Sequence, residues 1–466
     1  MNKKEIFLLA LRDLLIVRVF KFNLFFNLET FLYFLIMYNY GITCKKLAIP
    51  AICPDIKKIN NVTNINQHAL TDNIIISITT IDNDLRQLIT NTKREIDKAY
   101  KNGTWDYVKT LTNPYELVFS GSKKFVGRDI KYVKNNICNY NPLSRSFFKM
   151  VEMSNVFLLN KINCQVASPI KSLHLAEGPG GFIEGLIYLR KKHCPPRIQK
   201  NDLHYGITLI DTTNTTEIPS WKKSSVFIRD NPNVIITSGA DNTGNLYSLE
   251  NIKYLQARFG NTMDIVTADG GFDFSVDYNS QEYLASRLIY CEIVSALVTL
   301  KPGGVFICKT FDLLNKLTID FLYLLQCNFE YMFIFKPKTS RLANSEKYIV
   351  CKGFRGIHNP SEIDELFKVV TLFSTIEEQN NILPCTGTYT AINSLFAAIP
   401  PTFVKFINGI TRSIITNQIS NITYTIKLIN KLNYGKLQNS QVTDIIQNQK
   451  QNAIQWCNDN KMPINN

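Results

Sequence analysis

Paired cysteines are missing from this sequence. Its 11 cysteines are scattered, and no two stand in the CxxC spacing that a zinc ribbon uses. They do not cluster as in a short secreted chain either, so a disulfide framework is not expected and a reducing compartment is the default. The five histidines, His68, His174, His193, His204 and His358, are too dispersed for a metal cluster. No metal is expected. Neither GKS nor GKT occurs, which removes the P-loop and with it NTP hydrolysis. No uncharged apolar stretch of about 18 residues exists. The apolar run over residues 5–38 is broken by Arg12, Asp13, Arg18, Lys21 and Glu29. Residues 1–40 therefore read first as a buried or interfacial helical extension, ahead of a membrane-associated segment. A small-residue cleavage site for a signal peptide is lacking too. Acid is scarce: 38 Asp and Glu face 52 Lys and Arg, leaving a net charge of +14. That excess favours a polyanionic partner, nucleic acid first and an acidic membrane surface second.

The chain is 45% hydrophobic and 19% charged, which excludes disorder of the whole. Its 466 residues allow two to four domains, or one large one with extensions. Four regions are expected: an apolar extension over 1–60, a polar, partly helical region over 61–112, the main domain over 113–355, and a helical appendage over 356–466. Residues 121–149 carry Lys123, Lys124, Arg128, Lys131, Lys134, Arg145 and Lys149 against one acid, Asp129. This run leads into a helix pattern, SRSFFKMVEMSNVFLLN, with Ser144 as expected N-cap.

From about residue 171 the pattern becomes short apolar runs: SLHLAE, HYGITLI, NVIITS, MDIVTAD, GVFICKTF, YMFIFKP and KYIVCKGF. Helix-length segments at 181–192, 246–259, 281–300 and 313–327 separate several of them. Strands alternating with helices predict an α/β fold, a mostly parallel sheet covered on both faces. Ligands in such sheets sit at the carboxyl ends of the strands. SLHLAE runs into Gly178-Pro179-Gly180-Gly181-Phe182 and a helix. A glycine turn there lets a ligand approach the backbone, and the helix N-terminus favours an anionic group. The loop alone fits a dinucleotide or S-adenosylmethionine (SAM) equally, or a tight turn needed only for packing.

Four charged residues stand where such a sheet places a site. Lys149 lies in the basic helix. Asp269 ends an apolar strand before Gly270 and Gly271. Lys309 interrupts GVFICKTF. Glu346 begins the last strand. A lysine in an apolar strand is costly unless paired, and Asp269 and Glu346 are the natural partners. Without catalysis the four would be a buried salt-bridge network. With it, Lys309 is the expected base, its pKa depressed by burial beside Lys149, which also holds the reacting ribose. Asp269 and Glu346 would orient the lysines.

These residues resemble the K-D-K-E tetrad of FtsJ-like, SAM-dependent ribose 2'-O-methyltransferases. The segments NPYELV (113–118), SRSFFKM (144–150), AEGPGGF (176–182), TADGGFD (267–273), FICKTFDL (306–313) and FKPKTSRLANSEKYIVCKGF (335–354) resemble the eukaryotic and viral mRNA cap enzymes, the cap-1 branch in particular. The resemblance implies a Rossmann-like methyltransferase sheet with helical N- and C-terminal extensions, and SAM as cofactor. It implies catalytic Lys149, Asp269, Lys309 and Glu346. Ala176, Glu177, Gly178, Pro179, Gly180, Gly181, Phe182, Asn245 and Leu246 would bind the cofactor, with Asn245 replacing the usual acid. Ser144, Asn279, Ser280, Gln281 and Asn344 would contact substrate. The implied substrate is capped mRNA, methylated at its first transcribed nucleotide. Implied partners are the capping or transcription machinery, and the implied compartment is cytoplasm or nucleus, or the virion for a viral protein. Cap-2, rRNA or tRNA substrates and a non-catalytic RNA-binding scaffold are the alternatives. Tyr100, Trp105 and Tyr107 are the aromatics available to stack on a cap guanine.

Overall fold

A computed structural model describes residues 41–43, 49–59, 78–99, 104–126, 129–158, 168–210, 220–271, 278–382 and 389–465. Residues 1–40 and Tyr100 lie outside these, as do the expectations placed on them. Twelve strands occur among the described residues: β1 (Gly41–Thr43), β2 (Asp55–Ile59), β3 (Ser122–Val126), β4 (Asp129–Val133), β5 (Lys171–Leu175), β6 (Leu203–Ile207), β7 (Val234–Ile236), β8 (Met263–Ala268), β9 (Leu300–Thr310), β10 (Phe329–Phe335), β11 (Lys347–Phe354) and β12 (Tyr389–Ser394).

The main sheet has the order β1-β10-β11-β9-β8-β5-β6-β7. Strands β7, β6, β5, β8 and β9 are parallel, and β11 is antiparallel to both β9 and β10. All seven apolar runs read from the sequence became strands of this sheet. The central strand β8, MDIVTA, is buried at all six positions, as a strand covered on both faces must be. This is a mixed α/β, Rossmann-like core. The strand order reverses between β5 and β8, opening a crevice at their carboxyl ends.

The helices used below are α1 (Asn83–Ala99), α2 (Thr104–Leu111), α3 (Ser146–Phe157), α4 (Gly181–His193), α5 (Leu249–Phe259), α6 (Ser286–Thr299), α7 (Lys316–Asn328), α8 (Pro360–Ile382), α9 (Pro401–Asn433) and α10 (Asn439–Asp459). Helix α3 packs along α4, while α6 packs against α5, α7 and α8. The segment expected as one helix over 281–300 is divided: a short turn, Gln281–Leu284, precedes α6. Ser144 is not the N-cap of α3. Arg145 takes that place without a side-chain cap, and Ser144 Oγ instead meets Ser146 Oγ at 2.5 Å.

Residues 356–466, read as helical, also contain β12, which pairs antiparallel with β2. Helix α9 buries Ile415, Ile422, Leu428 and Ile429 against α1 and α2. Trp105 and Tyr107 belong to that same cluster. They are buried core aromatics, so neither is available to stack on a cap. No helix among the described residues is long and apolar enough to cross a membrane. Cys194 is disulfide-bonded, contrary to expectation, because approach in space and not spacing in sequence decides pairing. Among the described residues, Cys53, Cys138, Cys291, Cys308, Cys327, Cys351 and Cys457 form no disulfide.

Candidate active site

The sheet brings the four charged residues to one edge. Asp269 follows β8 directly and Lys309 is the penultimate residue of β9, both at carboxyl ends of parallel strands. Because β11 runs the other way, its start lies at this same edge, and Glu346 immediately precedes it. Lys149 reaches the edge from α3.

The contacts form two ion pairs joined by a phenol. Lys149 Nζ lies 2.8 Å from the Glu346 carboxylate. Lys309 Nζ donates to the Asp269 carbonyl at 2.8 Å and sits 3.3 Å from Asp269 Oδ1. Tyr348 Oη donates to Asp269 Oδ1 at 2.7 Å and lies 3.4 Å from Lys149 Nζ. Tyr348 opposes Lys309 in the β9–β11 register, two residues after Glu346 on the same side of its strand. Sequence reading missed it. Its signal was that alternation with Glu346.

The electrostatics correct one expectation. The Lys309 pKa is raised, not depressed: desolvation opposes the charge, but Asp269, Glu346 and Glu292 together outweigh it. Lys309 is an ammonium here. Glu346 is held down to about 2, its burial outweighed by Lys149, Lys309 and Lys336. Lys336, also missed, donates to Asn344 Oδ1 at 2.6 Å, to the Asn344 carbonyl at 2.9 Å and to the Glu346 carbonyl at 2.6 Å. Burial pulls its pKa down to about 7. It fixes the turn that presents both residues.

The glycine turn joins β5 to α4 at the same edge. Gly180 takes a left-handed φ of 101° as the residue before α4. Gly181 is required by close approach: a Cβ there would fall 2.2 Å from both Ser144 Oγ and Ser146 Oγ. Ser144 thus lies against the start of α4. Glu177 is 4% exposed, accepts a hydrogen bond from Thr267 Oγ1, and is raised well above the carboxylate range by desolvation. Its Oε2 is buried and accepts no hydrogen bond. Behind it runs a buried chain. His174 Nδ1 is 2.7 Å from Thr267 Oγ1, and Ser172 Oγ is 2.8 Å from His174 Nε2 and 2.7 Å from His204 Nδ1. Burial drives both imidazoles to a pKa of about 3, so both are neutral. These side chains form one continuous buried hydrogen-bonded chain that ends at Glu177 beside the glycine loop.

The remaining expected residues surround these. Leu246 is buried. Asn245 turns its Oδ1 to the Tyr247 N–H at 2.9 Å. Ser280 is buried, and Gln281 Oε1 accepts from Ser345 Oγ at 2.5 Å, tying this segment to the turn before Glu346. Asn279 is half-buried beside them. Lys123, Lys124 and Lys131 lie on the hairpin β3–β4.

Residues 142–354 match the family model described as FtsJ-like methyltransferase. The chain is 33% identical over 244 residues to the mouse (Mus musculus) protein named cap-specific mRNA (nucleoside-2'-O-)-methyltransferase 2, covering 49% of this chain and 30% of that one. It is 30% identical over 297 residues to the human (Homo sapiens) cap-specific mRNA (nucleoside-2'-O-)-methyltransferase 1, covering 59% of this chain and 32% of that one. The chain therefore spans about a third of the length of the curated relatives it matches.

Proposed function

Because residues 142–354 belong to the FtsJ-like methyltransferase family, we propose that this chain is a cap-specific mRNA (nucleoside-2'-O-)-methyltransferase, moving the methyl group of SAM to the ribose 2'-oxygen of the first transcribed nucleotide. One observation carries the reading: Lys149, Asp269, Lys309 and Glu346 meet at a single sheet edge beside the glycine loop, linked through Tyr348.

SAM fits the loop. Ala176 to Phe182 and Leu246 would hold it, and the buried Glu177 Oε2, which makes no hydrogen bond, would be open to one of its polar groups. With its amide oxygen committed to Tyr247, Asn245 offers its NH2 end to a ribose hydroxyl. Bound SAM supplies an electrophilic methyl on a sulfonium. Ser144, Asn279, Ser280, Gln281 and Asn344 would line the RNA side. Lys149, fixed by Glu346, orients the ribose, and in-line placement of hydroxyl and methyl supplies much of the rate. Lys309 rests as an ammonium. Its pKa would fall beside the positive charge that SAM supplies when bound, so that it would release its proton to solvent. The neutral amine would then take the 2'-hydroxyl proton as the oxygen attacks the methyl, and the ammonium formed would balance the developing negative charge. Capped mRNA would reach the site from capping or transcription machinery, in nucleus or cytoplasm.

The test is methyl transfer from labelled SAM to RNAs carrying an N7-methylguanosine cap, an unmethylated cap or no cap. Label on the first-nucleotide 2'-oxygen of capped RNA alone is expected. Label on the second nucleotide would move the site one residue along, and label on uncapped RNA would discard the cap. No transfer with SAM bound would leave the scaffold reading. Lys309→Arg keeps the charge but cannot serve as base, so a loss of at least about 100-fold is expected. A variant near wild-type rate would reduce Lys309 to an electrostatic role.

A further inference from the structure

Helix α10 lies outside the family-matched segment, yet it reaches the reacting edge through one carboxylate. Glu152 stands one helical turn after Lys149 on α3 and is 3% exposed. Both of its oxygens are used. Oε1 accepts from the Lys338 backbone N–H at 2.7 Å, and Oε2 accepts from the Thr339 N–H and hydroxyl, each at 3.3 Å. The fourth donor is Trp456 Nε1 of α10, 3.1 Å from Oε2. Trp456 is 1% exposed and sets its ring edge-on to Phe148, centroids 5.8 Å apart. It thus touches α3 on both sides of Lys149 in the sequence.

These contacts close a ring. From Glu152 the path runs to Lys338 and Thr339, along the turn pinned by Lys336 to Glu346, and from Glu346 back to Lys149. The other attachments of α10 run to side chains and to backbone. Asn155 Nδ2 on α3 donates to Asn460 Oδ1 at 3.0 Å at the end of the helix, and Cys457 meets Cys138. Gln449 Nε2 donates to the Thr110 and Asn113 carbonyls at 2.7 Å, and Asn139 N–H donates to the Pro463 carbonyl at 2.8 Å. They fix the helix but do not touch the ring.

We propose that Trp456 is a positioning residue for the methyl-transfer centre, acting through Glu152 on Lys149 and on the turn that carries Glu346. The proposal rests on the methyltransferase reading above. It makes α10 part of the catalytic unit.

The test uses the full chain. Trp456→Phe keeps a ring against Phe148 and removes the N–H. The kcat should fall roughly ten- to hundredfold below the unfolding transition, as for a small misplacement of reacting groups, with KM for SAM near wild type and only a modest loss of Tm. A merely structural tryptophan would lower Tm and leave kcat unchanged below the transition, which would overturn the proposal. Glu152→Gln presents an NH2 to the same donors and should lose kcat similarly. The double variant should be no worse than Glu152→Gln alone, and multiplying losses would show that Trp456 acts elsewhere. If the wild-type chain transfers no methyl group, the functional reading fails by itself. The contact is then judged by unfolding. Trp456→Phe and Lys149→Met should lower Tm by less together than the sum of their separate losses, whereas additive losses reject the coupling.

Discussion

Glu292 lies buried on α6 beneath Gly270, its Oε2 3.6 Å from Cys308 Sγ. Burial pushes its carboxyl up to about 8, although Lys309 pulls the other way. A carboxyl raised in the folded state keeps a proton that the unfolded chain has released. Its contribution to stability is complete below the ordinary value of 4.5 and is lost as pH rises through about 8. Glu292→Gln cannot titrate. Its Tm should therefore gain on wild type from pH 5 to about 8 and level off above that, and parallel curves would show that Glu292 ionises as freely as in the unfolded chain. The tetrad was legible from the family resemblance and, at Lys309, from the cost of a lysine in an apolar strand. Tyr348 and Glu152 were not: a tyrosine in a strand and a glutamate in a helix are ordinary until Asp269 and Trp456 arrive from 79 and 304 residues away. The direction of the Lys309 shift failed for the same reason. Glu292 adds to it from another element, and local sequence does not place that charge.

Elements were easier to read than contacts. The period of the apolar runs gave every strand of the main sheet from β5 to β11, since burial on both faces leaves continuous apolar segments. Strand β12, YTAINS, was lost in a polar helical background because its partner β2 lies more than three hundred residues earlier. Glycines divide along the same line. In α9, a Cβ on Gly409 would meet nothing within 4 Å. Gly409→Ala should stabilise the chain by about 0.5–1 kcal/mol in urea unfolding, through helix propensity alone. At Gly181 the added methyl would also press within 3.0 Å of the Phe147 backbone nitrogen, prising α3 from α4. Gly181→Ala should weaken SAM binding at least tenfold in titration, and affinity within twofold of wild type would separate the α3–α4 approach from cofactor binding.

Over the whole molecule the net charge of +14 acts at long range. RNA affinity should fall with salt, with a logarithmic slope of about −0.7 for each phosphate neutralised on a single strand. Capped and uncapped RNAs should share that slope and differ by a constant offset, because backbone contacts ignore the 5' end. Anisotropy titrations between 50 and 200 mM salt read both, and a flat uncapped curve would mean that the charge faces elsewhere. The chain also folds back on itself. Residues 55–59 pair with 389–394, and α10 returns to Glu152. Translation gives this return a time. At roughly 5–20 residues per second, Trp456 is made roughly 15–60 s after Glu152. All four charged residues of the reacting edge leave the ribosome well before the helix that braces them. On the proposed reading, a nascent chain surrounded by messenger 5' ends transfers methyl groups slowly until residue 456 has cleared the exit tunnel.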